Sequence, residues 1–400
     1  MHIDGHCQPE FQAVREAFAR NFSERNETGA ACCIYLQGNR IVDLWGGEKS
    51  PHSPWREDTL GLTFSVSKGM AAAALVVAHG RGLFDLDAPV AEYWPQFGQG
   101  GKDRITVRQL LSHQAGLIGI DEPLTLEKLT DPDRMSGILA RQRPAWRAGT
   151  RHGYHTLTLG WYQAELLRRV DPRGRTLGRY FQEEIARPLG VEFYIGLPEH
   201  IDVDRLATTV GFHRLRILLN LGELPLAMIL AGMWPRSLVS RSVNPLGLSN
   251  PAHLGSAKYR HLEIPSANGF GQARAIAKIY SVLARGGREL RIDRASWREL
   301  HATPKSPTGG SRDAILKMDT NYAFGFSRPS RDMQFGIDRS AFGCPGAGGC
   351  FGMADPVLQV GFAYITNKMG FRIFDDRRER ACREAFYRCL ASEGELRKAA

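Results

Sequence analysis

Residues Met70 to Ala78 read Met-Ala-Ala-Ala-Ala-Leu-Val-Val-Ala, an unbroken run of small and apolar side chains. A helix of this composition is apolar on every side and belongs at the centre of a fold. Directly before it stands Ser65-Val66-Ser67-Lys68-Gly69. Positions three apart share a helix face, so Ser65 and Lys68 project side by side from the first turn. There, free N–H groups and the positive end of the helix dipole favour a developing oxyanion. A lysine held out of water at that point loses basicity and can take a proton from the serine, which makes the pair a candidate nucleophile with its base. The plainer reading is an N-capping serine beside a solvated lysine. The apolar helix speaks against it, because Lys68 then has an interior end that needs partners.

At 400 residues, 43% hydrophobic and 24% charged, the composition is that of a soluble globular protein with a large core. No uncharged apolar stretch reaches the length of a membrane span, and the N-terminus lacks the order of a signal peptide, so the expected compartment is the cytoplasm. The 7 cysteines are scattered without paired metal-ligand spacing and fit a reducing environment. A net charge of +10 raises the question of nucleic acid. The basic residues are interleaved with acids along the chain, however, and no nucleic-acid partner is expected.

Hydrophobic periodicity predicts a helix over Phe11–Phe18 and a hairpin in which Gly29–Gln37 turns through Gly38-Asn39-Arg40 into Ile41–Gly47. The central helix runs from Ser65 to near Gly80. A mostly helical pattern follows to about residue 265, including Val107–His113 and Leu157–Val170, and a further helix spans Gln272–Leu283. The last third is strand-like at Tyr322–Phe326 and Val360–Asn367, with a glycine-rich stretch between them, and closes with a helix over Arg378–Leu390. The expected architecture is one α/β domain over 1–400. Both chain ends, about 1–82 and 266–400, build the α/β subdomain, and about 83–265 form a helical insertion.

Two more elements carry chemistry. Tyr154, in Arg151-His152-Gly153-Tyr154-His155-Thr156, follows a turn and precedes a helix. A tyrosine so presented can accept and return protons if a nearby lysine lowers its pKa; otherwise it is a core tyrosine with a satisfied hydroxyl. The stretch Phe342-Gly343-Cys344-Pro345-Gly346-Ala347-Gly348-Gly349-Cys350 suggests a strand edge that another backbone approaches closely, with an N–H directed into a site; the alternative is a flexible hairpin. His152 and His155 lack nearby acidic or cysteine ligands, so they are expected to orient the turn around Tyr154 and not to bind metal. The chain has no Gly-x-Ser-x-Gly elbow and no His-Glu-x-x-His site.

Together with Leu110-Leu111-Ser112-His113-Gln114-Ala115-Gly116-Leu117 and Asn268-Gly269, these elements resemble the serine beta-lactamase and penicillin-binding-protein superfamily, and within it the class C beta-lactamase-like esterases. The resemblance spans roughly residues 10 to 390. It implies a beta-lactamase/transpeptidase-like α/β fold, an antiparallel sheet flanked by helices with a mostly helical insertion. It also implies two-step acyl transfer. Ser65 is then the nucleophile, Lys68 and Tyr154 move its proton, and the N–H groups of Ser65 and Ala347 hold the oxyanion. Thr156, Cys344 and Gly346 fall at substrate-binding positions, and neither metal nor organic cofactor is needed.

Two departures matter. Thr156 stands where the family usually has asparagine, and Cys344-Pro345-Gly346 stands where it has Lys-Thr-Gly or His-x-Gly. A cysteine cannot hold a substrate carboxylate as a cation does, which turns the expectation from penicillins and cephalosporins towards small-molecule carboxylic esters. The same departures favour a rival, a catalytically silent scaffold or assembly subunit. A second rival is a peptidase on D-amino-acid peptides, disfavoured by the absent export signal.

One apolar stretch, residues 215–234, has no place in the minimal fold. Two short helices there would cap the site or dip into a bilayer surface as a peripheral membrane contact, suiting a hydrophobic acyl or lipid ester. The alternative is ordinary core or a subunit contact of a homo-oligomer.

Overall fold

The protein is described by a computed structural model that covers residues 2–211, 223, 226–234 and 237–392. Strand Gly29–Leu36 turns through Gln37 and Gly38, with φ of 51° and 87°, into strand Asn39–Ser50, which is the expected hairpin. It forms part of a nine-stranded antiparallel sheet. The order runs Ile3–Cys7, Asn39–Ser50, Gly29–Leu36, Val360–Thr366, Phe351–Asp355, Phe342–Pro345, Phe326–Arg328 and Asn321–Ala323, with Ser53–Pro54 paired to the long second strand. The register Cys32↔Tyr364 and Cys33↔Ala363 joins the first fifty residues to the last third of the chain.

Strand alternation then divides the core. Cys32, Ile34, Phe362 and Tyr364 pack with Phe18, Cys382 and Phe386 of helices Gln12–Glu24 and Arg377–Ser392. Their neighbours Cys33, Ala363 and Ile365 face the opposite core, shared with helices Ala273–Ala284 and Val66–Gly80. Every residue from Val66 to Ala78 is buried, as an all-round apolar helix requires. The middle of the chain supplies short helices, among them Val107–Leu111, Pro132–Arg141 and Thr158–Val170.

Two features depart from the sequence reading. Tyr322–Phe326 is not one strand but two three-residue strands that reverse at Phe324 and Gly325, with φ of 54° and 86°. The Gly325 N–H bonds to the Leu111 carbonyl at 2.9 Å, tying that reversal to the Val107–Leu111 helix. A second, three-stranded sheet, Gly61–Leu62, Gly269–Gly271 and Phe193–Ile195, also forms beside the start of the central helix. Of the apolar stretch 215–234, residues 215–222, 224 and 225 lie outside the described residues, and Leu226–Gly232 form a short helix. Among the described residues no helix is long and apolar enough to cross a membrane, and no cluster of three metal-ligating side chains occurs.

Candidate active site

The chain enters the central helix through a constrained turn. Phe64, buried, has a φ of 48°, a left-handed conformation that costs a non-glycine residue of order 1 kcal/mol and persists only when its surroundings enforce it. Those surroundings are visible. The Thr63 N–H bonds to the Gly269 carbonyl at 2.9 Å, the Gly269 N–H bonds to Ser67 Oγ at 2.8 Å, and Ser67 Oγ donates to the Phe64 carbonyl. The small second sheet thus clamps the turn and sets Ser65 at the helix N-terminus. Among the described residues no hydrogen bond engages the Ser65 N–H.

Lys68 is 1% exposed, and its Nζ has three oxygen neighbours: Ser65 Oγ at 3.0 Å, the Thr156 carbonyl at 2.6 Å and the Ser266 carbonyl at 2.9 Å. Burial pulls its pKa down to about 7. Once neutral, the amine keeps two N–H donors, which the two carbonyls require, and one lone pair, which is left for the Ser65 hydroxyl. In that state the Ser65 O–H donates to the lysine. The expected side-by-side arrangement and loss of basicity are both present.

Tyr154 lies against this pair, with Lys68 Nζ 5.0 Å from its ring centroid. Its mounting comes from distant parts of the chain. The Tyr154 N–H donates to Asp313 Oδ1 at 3.2 Å, and Tyr322 stacks on its ring at 6.2 Å while donating its hydroxyl to Asp313 Oδ2 at 3.2 Å. His113 packs on the Tyr154 ring at 5.0 Å and pairs with His155 across an Nδ1–Nδ1 distance of 3.0 Å. The Leu117 N–H donates to His155 Nε2, so the His155 proton sits on Nδ1 and is given to His113 Nδ1. Burial lowers the pKa of both rings, His155 to about 3, and the neutral pair is a fixed strut behind Tyr154. His113 and His155 therefore brace the turn that carries Tyr154.

One expectation is corrected here. Lys68 does not lower the pKa of Tyr154; burial raises it well above the usual phenol value, and only a hydrogen bond with Ser65 opposes the rise. The physical reason is that a lysine with a pKa near 7 has already lost its charge at the higher pH where a phenol would ionise, so it offers no positive potential there. Tyr154 is therefore held as a neutral phenol.

The glycine-rich stretch packs directly on the serine turn. A Cβ on Gly346 would stand 2.5 Å from the Thr63 carbonyl and 3.1 Å from Val66 Cγ2, so only glycine lets this strand end approach. The next residue, Ala347, opens the short turn Ala347–Gly349, and among the described residues its N–H, like that of Ser65, engages no hydrogen bond. Cys344 behaves otherwise than a substrate-binding position suggests. It is 3% exposed, with its thiol 3.9 Å from the Gly325 carbonyl and its pKa raised by burial to about 11. Pro345, Ala347 and Gly348 face the cavity in that stretch; Cys344 and Gly346 do not. Thr156 does line it, with its hydroxyl 3.0 Å from Ser242 Oγ.

That cavity, about 260 Å³, contains Ser65 and Tyr154 in its wall. Most of the remaining wall is apolar: Met228, Val243, Leu316, Met333, Met369, Phe371 and Ile373, with Arg372 the charged member. Asp313, Tyr322 and Ser266 were not singled out from sequence, and no local pattern marks them; each meets the site from a remote segment.

Known proteins place this geometry in context. The model of the family described as Beta-lactamase matches residues 16–385. The esterase/beta-lactamase LipL of Mycobacterium tuberculosis is 33% identical over 395 residues, covering 92% of this chain and 83% of that protein. A crystal structure of a family VIII carboxylesterase is 36% identical and superposes with a TM-score of 0.86, covering 98% of this chain and 100% of the other. The structure of EstA from Arthrobacter nitroguajacolicus Rue61a is 30% identical with a TM-score of 0.83, covering 98% and 99%. With the expected fold, the serine and lysine of one helix turn and a match over nearly its whole length, the chain belongs to the beta-lactamase family.

Proposed function

We propose that this protein is a serine carboxylesterase that cleaves small-molecule esters through an acyl-enzyme on Ser65. The observation that carries the reading is the Ser65 hydroxyl in the wall of an apolar cavity, 3.0 Å from a lysine amine whose pKa is about 7. Two esterase-named relatives, aligned over more than nine-tenths of this chain, support it.

In the proposed cycle the Ser65 proton passes to the Lys68 lone pair as Oγ attacks the ester carbonyl. The oxyanion rests against the unengaged N–H groups of Ser65 and Ala347. Collapse breaks the bond to the leaving alkoxide, which takes the phenol proton of Tyr154, and Lys68 returns a proton to Tyr154. Water, deprotonated by the same route in reverse, then releases the acid. Neither metal nor organic cofactor enters. The direct test is hydrolysis of p-nitrophenyl esters by the wild type and Ser65→Ala: the variant should lose turnover by at least about a thousandfold, and retained turnover would rule out the serine route. Loss of turnover would also dispose of the silent-scaffold reading.

A hydrophobic acyl group suits the apolar wall. The helix Leu226–Gly232 puts Met228 in that wall, while Leu230, Met233 and Trp234 on and just beyond it are 53%, 69% and 71% exposed. An apolar face at the rim of an apolar cavity supports contact with a lipid surface that delivers the ester. Leu230→Ser/Trp234→Ser should reduce sedimentation with phospholipid vesicles without changing kcat on a soluble ester. A change in oligomeric state instead would mark the face as a subunit contact. The scattered cysteines, none of which forms a disulfide among the described residues, are in keeping with a reducing, cytoplasmic setting.

A further inference from the structure

A buried guanidinium that the cycle above does not use grips the turn carrying Ala347. Arg378, 4% exposed, donates from Nη2 to the Gly348 carbonyl at 2.6 Å; the Gly370 N–H donates to the same oxygen at 2.9 Å. Its remaining donors are tied down on the far side. Nε and Nη2 form a two-point pair with Asp376 at 2.8 and 3.0 Å. Nη1 meets the Lys368 carbonyl at 2.8 Å, Thr366 Oγ1 at 3.2 Å and the Glu27 carboxylate at 3.3 Å. Glu27 is itself fixed to the sheet by the hydroxyls of Tyr364 and Thr366, both at 2.8 Å.

The turn is shaped to accept this pair. Gly348 and Gly349 have φ of 84° and 110°. A Cβ on Gly349 would lie 2.7 Å from Arg378 Nη2, and one on Gly370 would lie 2.3 Å from Asp376 Oδ2. Both glycines therefore leave room for a charged pair that an ordinary hairpin has no reason to admit. Gly348 lines the cavity and Arg378 does not, so the guanidinium acts on the turn from outside the site. A rigid, planar fork satisfied at every donor fixes the plane of the peptide it holds, and a single peptide, Ala347–Gly348, lies between that one and the peptide carrying the Ala347 N–H.

We propose that Arg378 is a positioning residue for catalysis: oriented by Asp376 and Glu27, it sets the turn so that the Ala347 N–H meets the oxyanion. The inference rests on the reading of Ala347 as an oxyanion donor. It separates Arg378 from the neighbouring Arg383, which is 6% exposed and paired with Glu379 of the same helix and with Asp375 just before it, and which makes no hydrogen bond to the turn among the described residues.

The experiment compares Arg378→Lys, Gly349→Ala and Arg383→Gln with the wild type in steady-state ester hydrolysis, together with melting temperature. Arg378→Lys keeps the charge but loses the fork, and should lower kcat about 10- to 100-fold with KM nearly unchanged and the pH profile unmoved. Gly349→Ala, which forces the turn and the guanidinium apart while keeping the arginine, should show the same signature and decides the matter if Arg378→Lys does not fold. Arg383→Gln should lower the melting temperature and keep kcat. In Arg378→Ala, added guanidinium chloride should restore part of kcat, entering by the surface cleft that Arg378 lines beside Lys368 and Arg372. Unchanged kcat in Arg378→Lys or in Gly349→Ala, or a loss in Arg378→Lys confined to KM, overturns the inference. Ser65→Ala assayed alongside keeps the two failures apart, since activity surviving there removes the serine mechanism itself.

Discussion

Lys68 differs from Lys102, the other deeply buried lysine among the described residues, in one hydrogen-bond partner. Lys102 Nζ meets three carbonyls, those of Gln99, Ala140 and Gln142, at 2.7 to 2.9 Å. Carbonyls only accept, so three N–H donors are needed and Lys102 is a structural ammonium. Lys68 has two carbonyls and the Ser65 hydroxyl. The third partner can donate, so Lys68 can shed its proton and keep every contact, whereas Lys102, whose pKa burial lowers only to about 8, would leave a carbonyl without a donor.

The pH dependence follows from the sign of the shift. A base must be unprotonated to act, and Lys68 sheds its proton at about pH 7. Plotted against pH, kcat/KM for a non-ionising ester should rise through one ionisation near 7 and then level. A profile flat from pH 5 to 9 would contradict this.

Tyr154→Phe should cost about 10²- to 10⁴-fold in kcat, the usual worth of a positioned proton donor. The rising limb near pH 7 belongs to Lys68 and should survive in the variant. Burial lifts the phenol above its ordinary value of 10.0, so its ionisation should not reduce wild-type activity below that pH. Stopped-flow or steady-state pH profiles of both proteins decide the point.

Stability should carry the same ionisation with a definite sign. The folded pKa of Lys68, about 7, lies below its ordinary value of 10.5, so between those limits the unfolded chain binds the extra proton. Unfolding free energy therefore gains about 1.4 kcal/mol per pH unit from this group between roughly pH 8 and 10. Measured by urea denaturation, the difference between wild type and Lys68→Met should move in favour of the wild type over that range. It should be constant below pH 6, where both states are protonated.

Cys344 should be dispensable for ester cleavage. Its thiol is buried, has its pKa raised to about 11 and does not face the cavity. Cys344→Ala should hold kcat within a few-fold, and iodoacetamide should leave the wild type active. Inactivation by the reagent, with protection in the alanine variant, would give the thiol a role it lacks in this account.

What could be read from sequence is what local geometry dictates. Spacing of three on an apolar helix put Ser65 beside Lys68, and Gly38 between two strand-like runs gave the hairpin. The glycine-rich stretch announced a close backbone approach, which Gly346 makes against Thr63. What escaped is what distance in the chain conceals. Asp313 reaches Tyr154 across 159 residues and His113 reaches His155 across 42, and neither contact leaves a periodic trace.

The strands of two or three residues around Gly269 are too short for alternation to show. In Tyr322–Phe326 the apolar run hid a reversal made by backbone conformation alone. The pKa of Tyr154 escapes the sequence because proximity to a lysine suggests charge, whereas burial strips that lysine of its charge before the pH at which a phenol ionises.

The central claim is that a neutral Lys68 makes Ser65 the nucleophile. Reaction with a fluorophosphonate ester, followed by mass spectrometry of the modified peptide, tests it most directly. The account predicts a single adduct on Ser65, formed at a rate that rises through pH 7 and lost in Lys68→Met. An adduct on another residue, or undiminished labelling of Ser65 in Lys68→Met, would contradict it.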